Sequence, residues 1–419
     1  MDGTPLVFCT HPDGIKQMMS NPNDFRKSPF IYDNLKLVLG EALVTSEGAR
    51  WKRDRRLLTP IFHFDRLRAM VPRTASMTQQ FVAELQQRWR SSGATSPLSA
   101  ASVPEAVIVP VVHEISQFTV NVMIDLGFGG NFDAKWMATK WSELLHGFQS
   151  YMLGSMVLGR LWNYVPIPWS QGPRKCQREL MQAIRRVVLE RKQEILQSRR
   201  QLEQAVPSSE ANRAAGSMQG TLPYDLLTAL LHALIASEEE QKAGVRIDET
   251  EKAEPMTFED VADQAETFLF AGTFSLLSPV LIRACRTAVQ GKFADCMISC
   301  DVAGHDTTSS LLSFTLWNLT QYPDTQKRLH EEIDRVLQGE ACTAAHLEHL
   351  PYTRSVLNET LRLYPPVPNL ERITTRPVEL MGYQIPAGVA LSMRFHAVHR
   401  DERYWSSPNT FDPDRWNTE

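Results

Sequence analysis

The sequence predicts a mainly α-helical protein with a small strand-rich region near its C-terminal end. Three observations predict it. Long stretches repeat apolar residues at three- and four-residue spacing, and a late stretch from Val378 to Met393 repeats them mostly at every second position. No Gly/Ser- or Pro-rich linker divides the 419 residues, and at 43% hydrophobic the chain can bury one large core, so it reads as a single domain over 1–419.

Pro5 to Thr10 reads as a short strand, and His11-Pro12-Asp13 opens a helix with Ile15, Met18 and Met19 on its apolar side. Ala49 to Arg56 is a basic helical turn, and helical periodicity dominates from Val71 to Gln87, Val107 to Gly127 and Arg174 to Arg199. Residues 200–222 and 237–256 are polar and weakly patterned, which predicts exposed loops around a short helix from Tyr224 to Ala233. Thr325 to Gln338 is an amphipathic helix, since Leu329, Ile333, Val336 and Leu337 share one face, with Pro323 before it and Gly339 closing it. Another helix runs from Tyr352 to Tyr364 and stops at Pro365-Pro366. Val378, Leu380, Tyr383, Ile385, Val389, Leu391 and Met393 then alternate around Gly382 and Pro386-Ala387-Gly388, the pattern of strands joined by tight turns.

Charge and cysteine usage narrow the function. The 44 basic and 48 acidic residues leave four net negative charges, which gives no global attraction to nucleic acid or to an anionic membrane. There is no apolar run of about 18 or more residues and no signal-peptide pattern at the start, so these residues are expected to be soluble. The six cysteines, Cys9, Cys176, Cys285, Cys296, Cys300 and Cys342, form no CxxC pair, which predicts free thiols and no zinc site.

Three constellations could carry chemistry. Glu359 and Arg362 are spaced to meet on one helix face, as a surface ion pair or, with Arg415 in Phe411-Asp412-Pro413-Asp414-Arg415-Trp416, as a forked network. Ala303-Gly304-His305-Asp306-Thr307-Thr308 puts small residues and hydroxyls together. Either Asp306 or Thr307 caps the helix carrying Leu312, Leu316 and Leu319, or a flat cofactor lies on Ala303 and Gly304 while Thr307 and Asp306 handle protons. Trp51 and Arg55 are four apart within a basic turn and could together meet a buried carboxylate.

In this order and at these separations, the stretches TSEGARWKRDRRLLTPIFHFDR, AGHDTTSS, ETLRLYPPVP and HRDERYWSSPNTFDPDRW resemble helix C, helix I, helix K and the segment before the haem loop of the cytochrome P450 family. The resemblance covers nearly the whole chain and is greatest to the eukaryotic microsomal fatty-acid hydroxylase branch. It implies the P450 fold, a helical domain with small β-sheets, and a haem (iron protoporphyrin IX) monooxygenase that inserts one atom of O2 into an apolar substrate such as a fatty acid. By position, Trp51, Arg55 and Arg372 would meet haem propionates and Ala303 and Gly304 would lie on the cofactor. Asp306 and Thr307 would serve oxygen activation, and Glu359, Arg362 and Arg415 would form a structural triad. NADPH would supply electrons through a flavoprotein reductase docked near Lys52, Arg53 and Arg56. A full-length relative would sit on the endoplasmic reticulum membrane.

Three departures accompany the resemblance. None of the six cysteines lies in the family's Phe-x-x-Gly-x-Arg-x-Cys-x-Gly loop, whose thiolate ligates iron, so no metal ligand is assigned and the chain is expected to be inactive. The chain reads as truncated at both ends, without the family's membrane anchor, which makes a non-catalytic remnant or a haem-free helical scaffold the rival reading. Phe268-Leu269-Phe270-Ala271-Gly272 would read straight into His305-Asp306 if residues 273–304 were removed, so that segment is expected to be an aberrant insertion within helix I.

Overall fold

The computed structural model describes residues 5–62, 64–91, 111–130, 168–205, 225–242, 255–273 and 306–417, with isolated positions between 132 and 147. The first strand, β1 (Leu6–Cys9), leads into α1 (Pro12–Ser20), whose start is capped by His11 Nδ1 accepting from the Asp13 N–H. The strand β2 (Phe25–Lys27) and the helices α2 (Pro29–Leu39) and α3 (Gly48–Leu58) follow, and the basic run Ala49 to Arg56 lies inside α3. Three longer helices come next: α4 (Phe64–Ser91), α5 (Val111–Phe128) and α6 (Pro168–Ala205).

The fourth of this series, α7 (Leu226–Lys242), corrects the loop expectation, since residues 237–242 are helical, as are residues 200–205 at the end of α6. The polar composition there reflects ion pairing rather than a lack of order. Lys192 donates to Glu238 at 2.7 Å and Arg199 to Glu239 at 3.1 Å, lacing the polar end of α7 to α6.

Next come α8 (Phe258–Thr273), α9 (Asp306–Gln321), α10 (Pro323–Leu337) and α11 (Pro351–Leu363). The helix α10 closes where Gln338 (φ 50) and Gly339 (φ 83) enter the left-handed region, as the glycine predicts. Four strands and a short helix follow: β3 (Asn369–Thr374), β4 (Val378–Leu380), β5 (Tyr383–Ile385), β6 (Ala390–Arg394) and α12 (Phe395–His399).

The main sheet has the order β1-β6-β3-β2, with β1 parallel to β6 and the other pairs antiparallel, while β4 and β5 form a separate hairpin. Its register sets Lys27 opposite Arg372, Glu371 opposite Ser392, and Asn369 opposite Arg394. One apolar core joins α2, α3 and α5 to α8 through residues such as Leu39, Leu58, Phe128, Ile184, Leu230 and Ala265. A second lies between the sheet and α1, and a third holds α9, α10 and α11 together around Leu319, Leu329, Val356 and Phe411. Side chains of this kind each contribute about 1.5–3 kcal/mol when removed from water. Among the described residues, no helix is long and apolar enough to cross a membrane.

Candidate active site

The most tightly built polar cluster centres on Glu359, which is 0% exposed on the inner face of α11. Arg362, one turn on, grips both of its oxygens at 2.8 Å, the forked geometry that a guanidinium makes with a carboxylate. The 3₁₀ turn Pro413–Trp416 brings in three further donors. Arg415 Nε donates to Glu359 at 2.9 Å, the Asp412 N–H at 3.0 Å and Trp416 Nε1 at 3.1 Å. Arg362 spends its remaining donors on the carbonyls of His399, Pro408 and Thr410, and its guanidinium lies over the Trp405 ring at 5.1 Å. Burial alone would raise the Glu359 carboxyl, but the bonds from Arg362, the Asp412 N–H and Trp416 outweigh it and hold it below the usual carboxylate range.

Two neighbours fix α11 in place. Glu332 of α10 accepts from the N–H groups of Tyr352 and Thr353, both at 2.8 Å, satisfying donors that a helix start leaves free. On the other side, Thr315 of α9 donates to Thr360 at 3.3 Å.

The α3 helix divides its charges between two faces. Arg50 and Arg53 turn inward. Arg50 donates to Asp260 at 2.6 Å, and Arg53 bonds Asp54 at 2.8 Å and the Pro255 carbonyl at 3.0 Å, while Gln264 of α8 donates to Asp54 at 3.0 Å. Arg53 is therefore no part of an exposed docking surface, contrary to the sequence expectation; the carboxylates of Asp54 and Asp260 draw it against α8. Lys52, Arg55 and Arg56 remain exposed, and Trp51 is 39% exposed on the same side as Arg55.

Arg372 lies on β3 opposite Lys27, with its guanidinium bonded to the Tyr32 hydroxyl at 3.2 Å. Lys27 Nζ is held by the carbonyls of Val44 and Ser46 at 2.7 and 2.6 Å. Burial and the neighbouring Arg372 charge bring the Lys27 ammonium down to about 8, so a buried anion here would relieve repulsion between two cations. The Lys27 N–H donates at 2.5 Å to Glu47, the residue before α3, which connects Arg372 to the turn carrying Trp51. Thr307 is half-buried in the first turn of α9, which starts at Asp306. Ala303 and Gly304, most of the segment 273–304, and Cys285, Cys296 and Cys300 lie outside the described residues.

Sequence reasoning missed Lys27, Tyr32, Glu332 and Trp416. Lysine and tyrosine in a short edge region carry no periodic signal, and Glu332 lies on a helix whose apolar face alone was legible. Trp416 ends the stretch HRDERYWSSPNTFDPDRW, and an indole there carries no spacing signal toward Glu359.

These residues suit the carboxylate edge of a porphyrin, with paired cations on β2 and β3 and Trp51 and Arg55 on the adjoining helix. Its iron is another matter. Among the described cysteines, Cys9 and Cys342 bond nearby carbonyls, and Cys176 bonds the Lys140 carbonyl at 3.1 Å while burial pushes its thiol up to about 11. A thiol so protonated is a poor metal ligand, and no group of three or more His, Cys, Asp or Glu side chains among the described residues could hold a metal.

The chain is similar to known monooxygenases and hydroxylases along nearly its whole length. The chain is 25% identical to taurochenodeoxycholic 6 alpha-hydroxylase of Sus scrofa, over 98% of its length and 68% of the relative's. It is 26% identical to cyclooctat-9-en-7-ol 5-monooxygenase of Streptomyces melanosporofaciens, over 98% and 70%. It is also 26% identical to ultra-long-chain fatty acid omega-hydroxylase of Homo sapiens, over 99% and 66%. The sequence profile of the cytochrome P450 family matches residues 1–279 and 291–419, and the chain belongs to that family of monooxygenases.

Proposed function

We propose that the chain is built for haem-dependent monooxygenation of an apolar substrate, with long-chain fatty acids as the leading class. The observation that carries this reading is the basic pair Lys27–Arg372, linked through Glu47 to the helix of Trp51 and Arg55, inside a chain that matches the P450 family over most of its length. Trp51, Arg55, Arg372 and Lys27 would hold the haem propionates, and the region of Ala303 and Gly304 would lie against the ring. Haem, when bound, supplies the activation of molecular oxygen. Thr307 would hold a proton at its hydroxyl and Asp306 would relay protons from solvent. Glu359, Arg362 and Arg415 serve as the structural triad that fixes α11 and the following segment.

Electrons would come from NADPH through a flavoprotein reductase meeting Lys52 and Arg56. Charge reversal at both is expected to weaken reductase binding in titration; unchanged affinity rejects that face. A full-length form would work at the endoplasmic reticulum membrane. Residues 273–304 are read as an insertion between α8 and α9, supported by the unmatched residues 280–290 inside it and by both helices lying against α5.

A haem-free scaffold is the second reading, favoured by the lack of a thiolate ligand among the described residues. Titration with hemin and a carbon-monoxide difference spectrum separate the two. Binding through propionates predicts uptake that weakens in Arg372→Gln and Lys27→Gln, without the band of thiolate-ligated haem. No uptake by the 419 residues selects the scaffold.

A further inference from the structure

We propose that the face of the main sheet bearing Phe8, Asn369, Glu371, Ser392 and Arg394 binds a neutral hydroxyl head group on an otherwise apolar molecule. The site lies on the opposite face of the sheet from the Lys27–Arg372 pair and takes an apolar alcohol distinct from the fatty acid of the reading above.

The register brings the five side chains together. Asn369 pairs with Arg394 and Glu371 with Ser392, while Phe8 of β1 pairs with Ser392. Directly paired residues on neighbouring strands point to the same side, and residues two apart on one strand share that side. The Arg394 guanidinium lies 5.0 Å over the Phe8 ring, and its charge acts on Glu371. Arg372, the next residue on β3, bonds Tyr32 on the opposite side, so this cluster is separate from the Lys27–Arg372 pair.

Three of the five are buried: Ser392 is 0% exposed, Asn369 3% and Glu371 8%. Among the described residues, Asn369 Nδ2 and Ser392 Oγ nevertheless have no hydrogen-bond partner. Folded interiors leave few such atoms, and each one that persists needs a reason. Two on a single sheet face, beside a carboxylate, describe a set of donors and acceptors that an incoming polar atom would complete.

The charges select the kind of atom. Glu371 and Arg394 are diagonal neighbours on this face, since Asn369 pairs with Arg394 and Glu371 with Ser392, so cation and carboxyl lie in mutual reach. A ligand carboxylate would be attracted by Arg394 and repelled by an ionised Glu371, and an ammonium would meet the reverse conflict. A hydroxyl oxygen accepts from Asn369 Nδ2 or Arg394 and donates to Ser392 Oγ or Glu371, with no charge left over. Phe8, 52% exposed, gives the apolar body a surface at the open edge.

The test is calorimetric titration of the purified chain with 1-dodecanol and with dodecanoate, for wild type and for Asn369→Leu and Ser392→Ala. The expected result is tighter binding of the alcohol than of the acid by about tenfold. Each substitution should reduce alcohol affinity about fivefold, the worth of one neutral hydrogen bond, and leave the melting temperature no lower. Equal affinity for the two probes, alcohol binding that both variants leave unchanged, or no alcohol binding at all would each overturn the proposal. Hemin uptake is read separately, so its persistence alongside absent alcohol binding sinks the head-group site alone, and loss of both sinks the haem reading as well.

Discussion

Two buried glutamates beside arginines end in opposite states. Glu359 on α11 is surrounded by Arg362, Arg415, Trp416 and the Asp412 N–H, and its carboxyl is held below the usual range. Glu371 on β3 has Arg394 in electrostatic reach, unpartnered donors around it, and a carboxyl that burial has pushed up. Both began as a carboxylate near a guanidinium. The difference teaches that hydrogen-bond saturation, more than charge pairing, separates a structural knot from a site open to a ligand.

The strongest way to break the comparison is Glu359→Ala, which leaves Arg362 and Arg415 buried without a counter-charge. It should cost about 3–5 kcal/mol, the range for breaking a buried pair, seen as a lowered urea midpoint or as failure to fold. A loss below about 1 kcal/mol would mean that the cluster is no knot. Arg362→Lys comes next. Lysine keeps the charge but cannot fork to both Glu359 oxygens while reaching the His399 and Pro408 carbonyls, so a loss of about 2 kcal/mol is expected. Wild-type stability in that variant would show that the fork is dispensable.

Acid titration sharpens the contrast, because the two carboxyls are shifted in opposite directions. Glu359 lies below the ordinary glutamate value of about 4.3, so its stabilisation is complete above that pH and is lost as pH falls through the folded value. Glu371 lies above it, so ionising Glu371 costs stability as pH rises from about 4.3 through its folded value. Glu359→Gln should therefore be less stable than wild type near neutrality and Glu371→Gln as stable or more so, with both gaps closing on acidification. Gaps of the same sign in the two variants would refute the opposed shifts.

The sequence made one of these regions far more legible than the other. Glu359 and Arg362 are one helical turn apart, and Arg415 sits in a stretch with a family resemblance, so local spacing and position sufficed to name all three. Glu371 and Ser392 meet only through strand pairing, and β3 itself escaped notice because Asn369–Thr374 mixes polar and apolar residues without strict alternation. Arg53 was misplaced for a related reason. A run of basic residues reads as a surface, and only the fold shows Asp260 waiting on α8. The polar end of α7 was misread because its stabilising partners, Lys192 and Arg199, belong to another helix.

The smallest expected effect probes the open cluster from the stability side. Ser392 Oγ is wholly buried and makes no hydrogen bond among the described residues, so the hydroxyl is desolvated without a protein partner there. Removing it in Ser392→Ala should leave stability unchanged or raise it by up to about 1 kcal/mol, the reverse of the usual result for a buried polar deletion. A polar group retained at a cost to the fold is what a stability–function trade-off leaves behind. Thermal melts of Ser392→Ala with and without 1-dodecanol read both halves: the free protein should melt no lower than wild type, and the alcohol should protect it less. If the free variant instead melts well below wild type, Ser392 bonds within the protein and the two glutamate regions differ less than their geometry indicates.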